Sequence, residues 1–126
     1  RAVAAAGRAG LLASCHDCSD GGLVVAVAEM TIAGRTGARL ELGKVPGTSD
    51  AAGHDLALAF GETPGRFVCE VRPEHAEAFA RIVGDVPWAW IGEVTTAAAL
   101  EIVTTTGGAE RVSLDRLDRA WRGEEA

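Results

Sequence analysis

The sequence predicts a single α/β domain, α+β-like in its order, with a mixed sheet of about four to five strands and helices mainly on one face. Segments with strand alternation are interleaved with segments of helical periodicity along the whole chain. A length of 126 residues suits one compact domain with one core. No repeat, low-complexity tract or internal linker divides it, so we expect one domain over 1–126, with residues 1–10 as a helix tail or linker.

The first half of the chain alternates helix and strand. Arg1–Gly10 is rich in alanine, which favours a helix tail. Leu11–Cys15 is short and apolar and predicts a strand. The apolar residues from Leu23 to Gly34 have helical spacing and a wide apolar face, which predicts a helix packed between layers. Gly37–Leu42 alternates as a strand, and Gly43–Gly53 is a loop with glycine and proline.

The second half repeats this alternation. Asp55–Phe60 predicts a short apolar helix, and Arg66–Val71 alternates cleanly as a strand. A helix is expected to begin near Pro73 and to end at Gly84. The remaining predictions are strands over Trp88–Val94 and Leu100–Thr105, a last helix capped by Ser113 with Leu114, Leu117 and Trp121 on one face, and a frayed tail at Glu124–Ala126.

The charge and composition exclude several classes of protein. A net charge of −6 and a pI of about 5.0 argue against a nucleic-acid-binding surface. No apolar run has the roughly 18 residues that a membrane span requires. Three cysteines without an export signal indicate free thiols in a reducing compartment, so we expect a cytoplasmic protein. Because the chain begins at Arg1, we also expect a fragment or excised domain.

The turn Ser19-Asp20-Gly21-Gly22 is the first candidate site. Asp17, Ser19 and Asp20 offer oxygens that could cap the following helix, and the glycines permit a left-handed turn or a close approach. Backbone N–H groups at a helix start favour phosphate, although the charge of Asp20 opposes it. Two interpretations stay open: a capped turn that serves packing, and a turn that lines an interdomain cleft.

Cys15-His16-Asp17-Cys18 contains a C-x-x-C pattern with a histidine inside it. A redox site would use the helix start to lower a thiol pKa, whereas a structural zinc site needs four ligands. Cys69, His54 and His75 are not at partner spacing. Structural thiols are therefore the favoured interpretation, with redox and metal sites as alternatives.

Other polar and aromatic residues have ordinary structural interpretations. His16 and Asp17 could form an acid–base pair, but neighbours in a strand point to opposite faces, so a buried histidine bonded across the turn is favoured. Asp55 is expected to cap its helix, and Glu62 to form a surface or interdomain salt bridge with Arg66. The three tryptophans, Trp88, Trp90 and Trp121, are expected to be core or interface anchors.

Three segments carry a resemblance to a known family. HDCSDGGL at His16–Leu23, followed by an Ala/Val helix ending in AEM, resembles the C-terminal domain of the AIR-synthase-related superfamily. FGETPGRFVCEV at Phe60–Val71 and the ending IGEVT…LEI…LDRLDRAWRG are similar to the large subunit of phosphoribosylformylglycinamidine (FGAM) synthase. The resemblance covers nearly the whole chain from Leu11.

The resemblance implies a part in de novo purine biosynthesis. The full enzyme is an ATP- and glutamine-dependent ligase that amidates formylglycinamide ribonucleotide, with ATP and magnesium as its cofactors. It implies N-terminal-type ATP-binding domains in the same polypeptide and a glutaminase domain or subunit as partners. Those other domains hold the catalytic residues, so for this chain we expect no catalytic residue, no metal ligand, no cofactor bound by this domain alone and no activity in isolation. His16, Ser19, Asp20, Gly21 and Gly22 are the expected cleft-lining, substrate-binding residues.

Two alternatives stay open. One is the same domain of another superfamily member, such as aminoimidazole ribonucleotide synthetase, selenophosphate synthetase or thiamine-monophosphate kinase. The other is a stand-alone, non-catalytic module that binds an anion or forms a homodimer. An excised domain would expose the surface that meets its neighbours, so dimerisation or poor solubility is expected.

Overall fold

Two separate sheets organise the computed structural model, which describes residues 1–47 and 54–124. The strands are β1 (Leu12–Asp17), β2 (Gly37–Glu41), β3 (Phe67–Val71), β4 (Gly92–Thr95), β5 (Ala99–Val103) and β6 (Ala109–Ser113). β1 and β3 form an antiparallel ribbon, and the other four form a mixed sheet in the order β4-β2-β5-β6. In that sheet β2 and β5 are parallel, while the outer pairs are antiparallel.

Five α-helices lie among the described residues, together with 3₁₀ turns at Leu42–Lys44 and Pro73–His75. They are α1 (Ala2–Arg8), α2 (Gly22–Gly34), α3 (Asp55–Phe60), α4 (Ala76–Val83) and α5 (Leu114–Trp121). Two predicted helix ends are confirmed. Ser113 caps α5, since its Oγ accepts a hydrogen bond from the backbone N–H of Arg116 at 3.3 Å, and Gly84 ends α4 with φ 56°. None of the described helices is long and apolar enough to cross a membrane.

The buried apolar residues form two clusters. In the larger one, Leu23 and Val27 of α2 pack with Leu40 of β2 and Leu100 of β5. The smaller one joins α1 to α4 through Ala6, Leu11, Phe79 and Val83, next to the β1–β3 ribbon. α2 therefore lies between the ribbon and the four-stranded sheet, as its wide apolar face predicts.

The predicted class, a single mixed α/β domain, is confirmed, although its strands divide between two sheets. β6 was not predicted, because Val112 is the one half-buried apolar side chain in an otherwise exposed edge strand. The predicted strand Trp88–Val94 is wrong in its first half. There the rings of Phe79, Trp88 and Trp90 pack on one another, with centroids 5.0–5.8 Å apart, and the ladder begins only at Gly92.

Three further predictions concern the chain ends and a loop. Residues 1–10 contain α1, whose Ala6 is fully buried. The predicted loop Gly43–Gly53 includes part of the 3₁₀ turn at Leu42–Lys44, and its residues 48–53 lie outside the described ranges. Residues 125–126 of the predicted tail also lie outside them.

Candidate functional site

The turn between β1 and α2 has a geometry that only glycine fits easily. Gly21 and Gly22 have φ values of 76° and 72°, in the left-handed region that disfavours other residues. A Cβ added to Gly22 would lie 2.6 Å from the carbonyl carbon of Phe60, at the end of α3. The second glycine therefore serves a close approach between this turn and α3.

The predicted caps of α2 are wrong. The carboxylate Oε1 of Glu62 accepts a hydrogen bond from Gly21 N–H at 3.1 Å, and Ser19 contributes only its backbone carbonyl, to Gly22 N–H at 3.2 Å. The side chains of Ser19 and Asp20 are exposed. An acidic group beside a helix start is stabilised by the helix dipole, so Glu62 supplies from another loop what Asp20 was expected to supply locally. Glu62 thus bonds Gly21 and not, as predicted, Arg66.

His16 is held by two acceptors. Its Nδ1 lies 2.7 Å from the backbone carbonyl of Asp17, and its Nε2 lies 3.0 Å from Glu29 Oε2 of α2. The Asp17 carboxylate is farther, at 3.5 Å from Nδ1. Because a carbonyl oxygen can only accept, the contact with Asp17 requires Nδ1 to be the donor. The side chain is 33% exposed, so His16 is half-buried and is paired mainly with Glu29.

Glu29 was missed by the sequence interpretation. It is the one charged residue within Gly22–Gly34, in an otherwise apolar helix. A single acid in an otherwise apolar helix signals a specific partner, although the Glu29 side chain itself is 36% exposed. The sequence does not show, however, that this partner is His16.

An open cavity of about 360 Å³ lies beside the turn, between the loops at 17–20 and 62–66. Ser19 and Asp20 line it, whereas His16, Gly21 and Gly22 lie outside its wall. The acidic side chains of Asp17, Asp20 and Glu62 outnumber the single base, Arg66. An isolated phosphate is therefore disfavoured here, despite the adjacent helix start.

The three thiols do not form the site that the C-x-x-C spacing suggested. Cys15 lies opposite Cys69 in the β1–β3 ribbon, with their Sγ atoms 3.6 Å apart, while Cys18 is buried in the larger core. Burial raises the pKa of Cys18, and nearby Arg66 offsets part of this effect. Burial, with the hydrogen bond between Cys69 and Cys15, raises the pKa of Cys69 to about 12. No cluster of three or more ligands suited to a metal ion occurs within 1–47 and 54–124.

A second, larger cavity of about 560 Å³ is an apolar groove, which we define by Met30, Phe67, Trp90 and Val94 on its wall. Phe67, Trp90 and Val94 are each about half exposed. Large apolar side chains that share one exposed groove are typical of a surface that meets another protein or domain. Trp90 was predicted as a core or interface anchor; the exposure of Phe67 and Val94 was not predicted.

The remaining predictions for polar and aromatic residues have different outcomes. Asp55 Oδ1 accepts from the backbone N–H of Thr105 at 2.8 Å, so Asp55 ties α3 to the β5–β6 turn and does not act as the predicted cap. Trp88 is half-buried beside Phe79, whereas Trp121 is 66% exposed at the end of α5.

Comparison with known proteins gives a consistent set of relatives. The chain is 37% identical over 118 residues to the phosphoribosylformylglycinamidine synthase subunit PurL of Synechococcus elongatus. The matched region covers 90% of this chain and 14% of that protein. It is 39% identical over 123 residues to the PurL subunit of Sinorhizobium fredii, and this matched region covers 89% of this chain and 14% of that protein. The chain therefore spans about 14% of the length of the curated relatives it matches.

Solved structures show the same fold. The structure of Thermotoga maritima PurL complexed with ATP matches with a TM-score of 0.79 at 20% identity, covering 93% of this chain and 20% of that one. E. coli HypE, a hydrogenase maturation protein, matches with a TM-score of 0.68 at 21% identity, covering 90% and 38%. Residues 1–104 match the family model described as AIR synthase related protein, C-terminal domain. The chain belongs to this family, as the resemblance of His16–Leu23 implies.

Proposed function

We propose that this chain is the last domain of an FGAM synthase, the ligase that amidates formylglycinamide ribonucleotide with ATP and glutamine-derived ammonia. The observation that carries the proposal is the similarity to PurL subunits along about nine-tenths of the chain. In the reaction implied by the resemblance, the amide oxygen of the substrate is phosphorylated and the phosphate is then displaced by ammonia. ADP and phosphate leave, and the amidine is the product.

The described residues do not by themselves fit ATP and magnesium. No group of three or more suitable ligands is present among them, and the one lysine, Lys44, is paired with Glu41 at 3.0 Å. The cavity beside the turn carries excess negative charge, which repels phosphate. The proposal therefore assigns ATP and magnesium to the N-terminal-type domains of the same polypeptide, and assigns no catalytic residue to this chain.

The turn is proposed to form one side of the interdomain cleft. Ser19 and Asp20 present exposed polar side chains at the cavity, Gly21 packs against Val25 of α2, and Gly22 keeps the backbone close to α3. His16 acts behind them as a positioning residue, because its pair with Glu29 ties the end of β1 to α2. Ser19 and Asp20 are thus the side chains proposed to contact substrate.

The apolar groove is proposed to receive the neighbouring domain of the same polypeptide. Its half-exposed aromatic and aliphatic side chains would be costly to leave in water, and burying them against another domain is favourable. A glutaminase domain or subunit completes the proposed enzyme. In a chain cut away from its neighbours, the same groove would favour a homodimer or aggregation.

The test is an amidation assay of the full-length protein that carries this chain. We expect ADP release that depends on both formylglycinamide ribonucleotide and ammonia or glutamine. Asp20→Asn removes a charged acceptor for a ribose hydroxyl of the ribonucleotide, away from its phosphate, and is expected to raise KM about tenfold, which corresponds to about 1.4 kcal/mol of lost interaction. Asp115→Asn is the matched control, since Asp115 is 80% exposed on α5, outside this cavity.

The outcomes separate the two levels of the proposal. A folded full-length protein without amidation activity overturns the enzyme assignment. Full activity with an unchanged KM in Asp20→Asn overturns the cleft-lining role alone. Amidation by the isolated chain would contradict the expectation that catalysis depends on the other domains.

A further inference from the structure

The two strands of the ribbon bring two distant thiols into contact. Cys15 of β1 and Cys69 of β3 are direct cross-strand partners, although 54 positions separate them in the sequence. Their Sγ atoms lie 3.6 Å apart. A disulfide has an S–S distance of about 2.05 Å, so the two sulfur atoms need to approach by about 1.5 Å.

The two thiols differ in accessibility from each other and from the third. Cys15 is exposed, Cys69 is half-buried, and Cys18 is only 2% exposed within the larger core. Cys18 also lies beyond the end of β1, where its backbone N–H bonds the carbonyl of Arg66 at 2.9 Å. The accessible thiol is therefore paired across the ribbon, and the neighbouring cysteine in the sequence is kept apart in the core.

We propose that Cys15 and Cys69 are an oxidisable pair that closes to a cross-strand disulfide on reaction with a low-molecular-weight disulfide such as glutathione disulfide. In the first step the Cys15 thiolate attacks one glutathione sulfur, forms a mixed disulfide and releases one glutathione thiolate. In the second step the Cys69 thiolate attacks Cys15 Sγ, forms the protein disulfide and releases the second glutathione thiolate. Two protein thiols are oxidised, one disulfide is reduced to two thiols, and the two protons go to the released glutathione.

The order of the steps follows from the structure. Only thiolates attack, and Cys69 keeps its proton because burial and the adjacent Cys15 raise its pKa to about 12. Cys15 is exposed to a soluble oxidant. Once Cys15 is in a mixed disulfide, its charge no longer opposes ionisation of Cys69, and the resolving thiol is already in contact with the sulfur that it attacks.

The bond would connect strands that carry the candidate site. His16 follows Cys15 and pairs with Val68, the residue before Cys69. A covalent link at this register would therefore fix the ribbon directly beside the His16–Glu29 contact. This inference does not depend on the identity of the reaction that the full enzyme catalyses.

The experiment treats the native protein with excess glutathione disulfide, blocks remaining thiols with an alkylating reagent and digests it with trypsin. Cleavage gives peptide 9–35, with Cys15 and Cys18, and peptide 67–81, with Cys69, since Arg72 precedes proline and resists trypsin. We expect these peptides to be joined, with a mass lower by two hydrogen atoms than the sum of peptide 67–81 and peptide 9–35 alkylated at Cys18. Cys18→Ser identifies the partner, because the link should persist in this variant.

Two further variants test the mechanism. Cys69→Ser is expected to stop at a glutathione adduct on Cys15, and Cys15→Ser is expected to give neither adduct nor link. A Cys15–Cys18 bond within peptide 9–35, a stable adduct in the wild type, or a link that is lost in Cys18→Ser would each overturn the proposal. Circular dichroism of each variant before oxidation confirms that the fold is retained, and a variant that has lost it is replaced by the corresponding alanine variant.

Discussion

Replacing Gly22 with alanine is expected to destabilise the domain more than the same change at another left-handed glycine. The added methyl group would meet the backbone of Phe60 at 2.6 Å, and α3 would have to move away from the turn. Gly10 offers a matched control, because its φ is 71° against 72° at Gly22, and nothing lies within 4 Å of an added Cβ. The two variants therefore share the backbone strain and differ in the steric contact.

The magnitudes follow from these two contributions. A left-handed conformation costs an L-residue about 1–2 kcal/mol, and the smaller entropy of the unfolded alanine chain returns about 0.4–1 kcal/mol. Gly10→Ala should therefore lose about 0–1.6 kcal/mol. Over-packing adds about 1–3 kcal/mol, which brings Gly22→Ala to a loss of about 1–4.6 kcal/mol, with a central value of about 3 kcal/mol.

Urea unfolding followed by tryptophan fluorescence measures both variants. With a slope of about 2 kcal/mol per molar urea, a loss of 3 kcal/mol lowers the midpoint by about 1.5 M. Equal losses in Gly22→Ala and Gly10→Ala would refute the close contact between the turn and α3. If the urea dependence of the unfolding free energy differs between the variants, the folded or unfolded state of one variant has changed in compactness. The stabilities of the two variants would then be compared by thermal unfolding.

Two other predictions concern the ribbon and the groove. Because the pKa of Cys69 is raised to about 12, the folded state holds a proton that the unfolded state releases above about pH 9, so the free energy of unfolding should fall as the pH rises from 9 towards 12. Urea midpoints measured across that range should fall more steeply for the wild type than for Cys69→Ser, and parallel curves would contradict the assignment. In the full-length protein, Phe67→Glu in the apolar groove should weaken interdomain packing and speed proteolysis several-fold. Leu56→Glu, at a 77% exposed position outside the groove, should not, and equal effects would exclude the groove as the docking surface.

Local pattern was sufficient for the elements whose own residues specify them. Helix α3 begins and ends at Asp55 and Phe60, as predicted, because in the sequence a short apolar run is flanked by glycine-containing segments. Strand β3 begins one residue later than predicted. Strand β6 could not be predicted, because Glu110 and Arg111 face solvent and the strand depends on its pairing with β5.

At the candidate site, the contacts between segments that are distant in the sequence were the main features that could not be predicted. The sequence identifies the turn at 19–22 and its glycines, but it assigns the capping role to neighbours along the chain. The observed acceptor, Glu62, is 41 positions from Gly21, and the partner of His16 is Glu29, on the next helix. The Cys15–Cys69 contact has the same origin, since register between strands depends on tertiary structure rather than on spacing.

The connectivity of the two sheets has a consequence for how the domain folds and breaks. Strand β2, of the four-stranded sheet, lies in the sequence between the two strands of the ribbon, and the rest of that sheet follows β3. No single cut in the chain can separate the two sheets with both of them complete, and the ribbon closes only when the long segment between its strands has been ordered. The two cores should therefore unfold together in one cooperative step, and a protease that cuts between β1 and β3 should leave no autonomous half.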